Sequence, residues 1–223
     1  MFPAELFTDR GFWLFTAFYV ASVFIASFIL QRLTGRTRVE GVASRLGVFI
    51  VVLFSLLLVY QFFHQAEHVT QMYQFQFLGF SSHDAHGFVW FLDDEWNHFV
   101  FNVGYLIGIT TVFVALFRGL KKAGVPYTFG TIGLMVIFLV FEGWHVVEHT
   151  YRITHHVQGL CDECAGIIDS TFGVNRLVLH FWLNFFALAF PAAVYMQCGI
   201  FGRLKAALKN LRIPAMVKPV PAK

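Results

Sequence analysis

The sequence predicts an all-α integral membrane protein with five transmembrane helices. Helices two to five are expected to form a pseudo-twofold four-helix bundle that arose by internal duplication. Three observations carry this expectation. The chain is 57% hydrophobic and only 13% charged, against about 25% charge in soluble domains, and its apolar residues fall in runs long enough to span a bilayer. Its basic residues gather in three short segments. And one pattern of residues occurs twice. The first copy is Tyr60-Gln61-Phe62-Phe63-His64-Gln65-Ala66-Glu67-His68 and the second is Phe141-Glu142-Gly143-Trp144-His145-Val146-Val147-Glu148-His149. Both contain H-x-x-E-H. Each is followed by H-F-x-x-N, at His98 to Asn102 and at His180 to Asn184, and the spacings His64–His98 and His145–His180 are 34 and 35 residues.

The first apolar run, Phe12 to Leu30, follows acidic Glu5 and Asp9 and ends at Gln31-Arg32. A cleaved signal peptide would begin with a basic segment and end at a small-residue site, so this run reads as a retained first helix. Residues 31–45 carry Arg32, Arg36, Arg38 and Arg45. The second helix is predicted from about Leu46 to Phe80, longer than the roughly 20 residues a bilayer requires. Its far end, with Gln71, Gln74 and Gln76, is expected to leave the hydrocarbon. The loop 81–95 holds His83, His86, Asp93, Asp94 and Glu95 and no Lys or Arg. Its acidic residues suit the capping and dipole of the next helix.

The third helix is predicted from Trp96 to Phe117, and the fourth from Tyr127 to His155 after a basic connection with Arg118, Lys121 and Lys122. The loop 156–174 contains Cys161-x-x-Cys164, for which a disulfide on the oxidising side of a membrane is the first reading and a soft-metal clip with His155 and His156 the second. A fifth helix should run from Asn175 to Cys198. Residues 200–212 then suit a basic surface helix before Pro214, Pro219 and Pro221.

The positive-inside rule puts 31–45, 118–126 and the C-terminal tail in the cytoplasm and the N-terminus outside, in what reads as a bacterial or archaeal plasma membrane. The domain plan is then 1–45 for the first helix and its loop, 46–118 and 127–199 for two parallel repeats, and 200–223 for the basic tail. The net charge of +3 and the absence of a basic tract exclude nucleic acid as a partner. The lipid bilayer is one partner, and further membrane subunits are a second expectation.

Residues at i, i+3 and i+4 share a helix face. His64, Glu67 and His68 therefore project together, as do His145, Glu148 and His149, while His98 pairs with Asn102 and His180 with Asn184. Counting from the basic ends puts His64, His98, His145 and His180 about 30–35 Å from the cytoplasmic boundary, at about 1.5 Å per residue. They share one level near the outer face, where Trp96, Trp144 and Trp182 suit an interfacial belt. Ionisable groups at such depth face a protein interior and carry function by default.

The expected metal ligands are His64, Glu67, His68, His98, His145, Glu148, His149 and His180, for one or two ions of iron, copper or zinc. Glu67 and Glu148 are the candidate catalytic groups, bridging ions or relaying protons. Gln61, Asn102, Glu142 and Asn184 are expected to support the ligands from behind. The layout resembles that of soluble ferritin-like di-iron bundles, as an architecture only. Three functions compete: an oxidoreductase acting on a lipid, quinone or small gas; a protein that handles copper or zinc; and a subunit of a larger complex holding a haem or pigment. A plain hydrogen-bonded polar layer fastening the helices is the alternative to all three. H-x-x-E-H also marks a class of zinc peptidases, but its duplication inside aromatic membrane helices argues against proteolysis.

Overall fold

The structure, a computed structural model, describes residues 8–33, 47–88, 95–123, 129–161 and 164–210. Helices account for 85% of it, with no strand among the described residues. In chain order they are α1 (Arg10–Leu33), α2 (Val48–Phe77), α3 (Glu95–Ala123), α4 (Phe129–Val157), α5 (Ile167–Phe172), α6 (Arg176–Gln197) and α7 (Ile200–Asn210). Five of these, α1, α2, α3, α4 and α6, are long and apolar enough to cross a membrane. Each expected span is thus present, with ends displaced by a few residues, as fraying termini allow. The sequence reading missed α5, which is only six residues long. Arg36, Arg38 and Arg45, the proposed caps Asp93 and Asp94, and the proline-rich end lie outside the described residues.

Helix α6 is the most enclosed, with 72% of its most apolar window buried. It packs against α1, α2 and α4, while α3 packs against α2 and α4. Large apolar side chains elsewhere remain exposed, among them Leu14, Phe18, Phe49, Phe63 and Val140. That is the surface expected of helices solvated by lipid rather than water. Pro191 lies inside α6 and has no N–H for the carbonyl four residues back. The carbonyl of Ala187 receives the Tyr105 hydroxyl instead, at 3.0 Å, so the break in the ladder ties α3 to α6.

The start of α1 is fastened to α2. Asp9 accepts from the Gly11 amide and from the Tyr73 hydroxyl, both at 2.7 Å. The Tyr73 bond, seconded by that amide, holds the Asp9 carboxyl below its ordinary range. A Cβ at position 11 would overlap the Tyr73 hydroxyl, which explains a glycine at the start of the helix.

The interior divides by helix end. Val51 and Phe54 of α2, Ile109 and Leu116 of α3, Leu134 and Phe138 of α4, and Val194 of α6 form one closed hydrophobic cluster. The buried polar residues Gln61, His64, His68, Asn102, Glu142, His145, His149, His180 and Asn184 belong to the other end of the same helices. This segregation puts a dense apolar plug behind a polar layer.

Candidate metal centre

Two groups of three histidines define the site. His64, His68 and His98 form one, and His145, His149 and His180 the other, with the ligand atoms of each group within 4.8 Å of one another. The helical period explains the first two members of each. One turn separates His64 from His68 on α2 and His145 from His149 on α4, so the rings lie along one face. Their Nε2 atoms approach to 3.3 Å and 3.1 Å. The third member comes from the first turns of the neighbouring helix, His98 on α3 and His180 on α6. The groups adjoin: the ring centroids of His68 and His180 are 6.0 Å apart, and those of His98 and His149 are 5.9 Å apart.

The outer nitrogens of three of these rings, His68, His149 and His180, are spoken for by acceptors. His68 Nδ1 meets the Gln71 side-chain carbonyl at 2.8 Å, and His180 Nδ1 meets the Arg176 backbone carbonyl at 2.9 Å. His149 Nδ1 meets the Glu95 carboxylate, whose other oxygen takes Arg152 at 2.8 Å. A carbonyl or carboxylate only accepts, so each of these Nδ1 atoms carries the proton. Each neutral ring then turns an unprotonated Nε2 inward, the arrangement that second partners impose on metal-bound imidazoles. His180 Nε2 has no hydrogen-bond partner among the described residues.

Below the rings the two halves share one contact and differ in another. Asn102 donates to the His98 carbonyl at 2.9 Å, and Asn184 to the His180 carbonyl at 3.0 Å. Gln61 also donates to Asn184 Oδ1, at 2.8 Å. At the equivalent place Glu142 is fully buried, and neither of its oxygens has a hydrogen-bond partner among the described residues. One of them lies 3.6 Å from His145 Nδ1.

Glu67 and Glu148, expected among the ligands, are in neither histidine group. Glu148 accepts from the backbone amides of Ile167 and Ile168, at 2.6 Å and 3.0 Å, and from the Trp144 indole at 3.0 Å. It thus serves the first turn of α5 as a cap. Glu67 lies against the loop that follows α2, where a Cβ at Gly87 would overlap its carboxylate. A Cβ at Gly166 would likewise overlap Glu148. Gly166→Ala is expected to destabilise the protein by about 1–3 kcal/mol, the usual penalty for overpacking, since two amides hold the carboxylate where it is. Thermal unfolding in detergent measures this, and an unchanged midpoint would contradict the anchoring.

Gln71 and Glu95 meet histidine nitrogens and Arg152 holds Glu95, contacts to which the sequence reading gave no place. Gln71 and Arg152 each follow the last histidine of their motif by three residues, so helical spacing could have flagged both. Arg152 in an apolar helix was a further signal, as an intramembrane charge is costly. Gln74, in the end of α2 expected to leave the hydrocarbon, is buried and exchanges two hydrogen bonds with the His86 backbone, at 3.0 Å and 2.9 Å. Cys161 and Cys164 are joined as a disulfide, and Cys198 is a buried free cysteine.

The fold and site define a class: an all-helical protein with five helices able to cross a membrane and two adjoining histidine groups that could hold a metal ion. No family model, curated protein or solved structure matches the chain.

Proposed function

We propose that the chain is a membrane metalloprotein in which His64, His68 and His98 hold one transition-metal ion and His145, His149 and His180 a second. The ions form a dinuclear centre close to the extracytoplasmic face, and the protein is an oxidoreductase using iron or copper. One observation carries this reading: in each group an imidazole whose proton is committed to an outer acceptor turns its Nε2 lone pair on a neighbouring Nε2 within 3.3 Å. A polar fastener would need His145 to protonate Nε2. Its Nδ1 lone pair would then face the Glu142 carboxylate, which is repulsive, unless the ring took a second proton and stood as a buried imidazolium beside Glu142. A cation between the rings removes both conflicts, and imidazole suits iron, copper and zinc alike.

The parallel contacts of the two halves support a pseudo-twofold bundle from an internal duplication, with repeats 46–118 and 127–199 and the outer ends bearing the site. Glu67 and Glu148 act in this reading as loop anchors rather than as ligands or proton relays. Gln61, Asn102, Glu142 and Asn184 keep their supporting role, and Gln71 and Glu95 join it. The apolar plug behind the site weighs against passage of metal through the chain. The close packing of six imidazoles, with neighbouring centroids at 4.8–6.0 Å, leaves no slot for a haem.

Elemental analysis with an optical spectrum on the purified full chain tests the proposal. The expected result is about two first-row transition-metal ions per chain and no Soret band. Protein purified without chelator and offered iron, copper and zinc, yet free of all three, would return the layer to a structural role.

A further inference from the structure

A cavity of about 340 Å³ opens between the outer loops and ends on the histidine groups. It is lined by His68 and His98 from one group and by His149 and His180 from the other. Its wall also carries the guanidinium side chains Arg152 and Arg176, with Glu95 as a carboxylate. Glu95 is engaged by Arg152 and His149. Arg176 is held over the opening by its bond to the Ser82 carbonyl, at 3.3 Å.

These facts constrain what enters. Three imidazoles leave a first-row ion at least one coordination position short, as in sites that bind substrate. Four of the six rings border the cavity, so one ligand can approach both ions. Neutral imidazoles do not cancel the charge of the ions, and two guanidiniums against one carboxylate add to the positive field. The volume lies at the low end of the roughly 300–1,000 Å³ of small-molecule sites. A lipid or quinone would find a different place: an apolar groove of about 390 Å³ lined by Phe15, Phe77, Phe181 and Trp182. None of the six histidines borders that groove.

We propose that the centre takes a small anion with oxygen or nitrogen donor atoms, of carboxylate or inorganic type, from the outer aqueous side, and that it does not act on a lipid or quinone. Arg176 recognises the anion through charge-assisted hydrogen bonds. This rests on the metal reading above.

The test uses the purified full chain loaded with Cu(II), titrated with azide and with acetate, and with acetamide as a neutral compound of acetate's size. The expected result is a saturable change in the visible spectrum with both anions and none with acetamide. Arg176→Gln should weaken both anions by about tenfold or more, at unchanged copper content by elemental analysis. An unresponsive copper-loaded protein, an equal response to acetamide, or full anion affinity in a well-folded Arg176→Gln protein would each overturn the inference. The comparison of acetate with acetamide needs no variant, so it decides the matter even if Arg176→Gln fails to fold. Copper loading is measured on the same samples. Loaded protein that ignores anions defeats this inference alone, whereas protein that takes up no copper defeats the metal reading and this inference with it.

Discussion

His149→Ala protein is expected to purify with about one metal ion per chain where the natural protein holds two, and His68→Ala with the same loss. The double variant should hold none. Each substitution removes one of the three imidazoles of one group and leaves the other group's three in place. Losing only a second partner of a ligand costs roughly 10–100-fold in metal affinity, and losing the ligand itself should exceed that. Retention of one ion by each single variant shows that the helices still assemble, which separates loss of a ligand from loss of the fold. Elemental analysis after dialysis against a weak chelator gives the numbers. Two ions retained in either single variant, or both ions lost together from each, would show that the histidines do not divide into two sites.

The second expectation concerns Glu142, where the two halves differ. Glu142→Gln should weaken the ion held by His145, His149 and His180 by roughly 10–100-fold and leave the other ion unchanged. It should also stabilise the metal-free protein, by about 1–3 kcal/mol. The two effects have one cause. A carboxylate buried with neither oxygen hydrogen-bonded among the described residues is costly in apolar surroundings, and a cation beside it offsets that cost. Glutamine removes the charge and leaves only the smaller cost of a buried amide, so the metal-free protein gains while the attraction for the ion is lost. Gln61 already fills the matching place near the other group, bonded to Asn184. The two sites should therefore differ in affinity in the natural protein, with the site beside Glu142 filling first. Competitive metal titration and thermal unfolding with and without metal read both effects. Equal, simultaneous filling of both sites would remove the basis for this argument.

Much of the site could be read before any coordinates existed, because helices obey a fixed period and membranes a fixed thickness. The spacing of His64 to His68 and of His145 to His149 put each pair on one face. Counting from Arg45, Arg118, Lys122 and Arg203 set the histidines at one level. The long apolar runs had no alternative to helix, since no other open segment satisfies its backbone in lipid. Glu67 and Glu148 stand outside both histidine groups for a physical reason. They share a helical face with their histidines, but a face spans about a quarter of a turn in direction, and a flexible carboxylate goes to the nearest unsatisfied donors. For Glu148 those donors are the amides of Ile167 and Ile168, which a loop brings from 19 and 20 residues away. Glu95 posed the converse problem. Its acidic character at a helix start suggested capping, yet its partners His149 and Arg152 lie on α4, more than 50 residues on.

The sequence by itself determined the class of fold, the five spans, the level of the histidines and their pairing within each helix. All of these follow from composition, hydrophobic run length and the 3.6-residue period, which are local properties of the chain. Only the tertiary structure decided how the six rings divide into two groups, which acceptor takes each Nδ1 proton, where Glu67 and Glu148 turn, and that a cavity bearing Arg152 and Arg176 opens onto the rings. Those outcomes depend on which helix lies beside which, and side chains settle their last hydrogen bonds across contacts far apart in sequence.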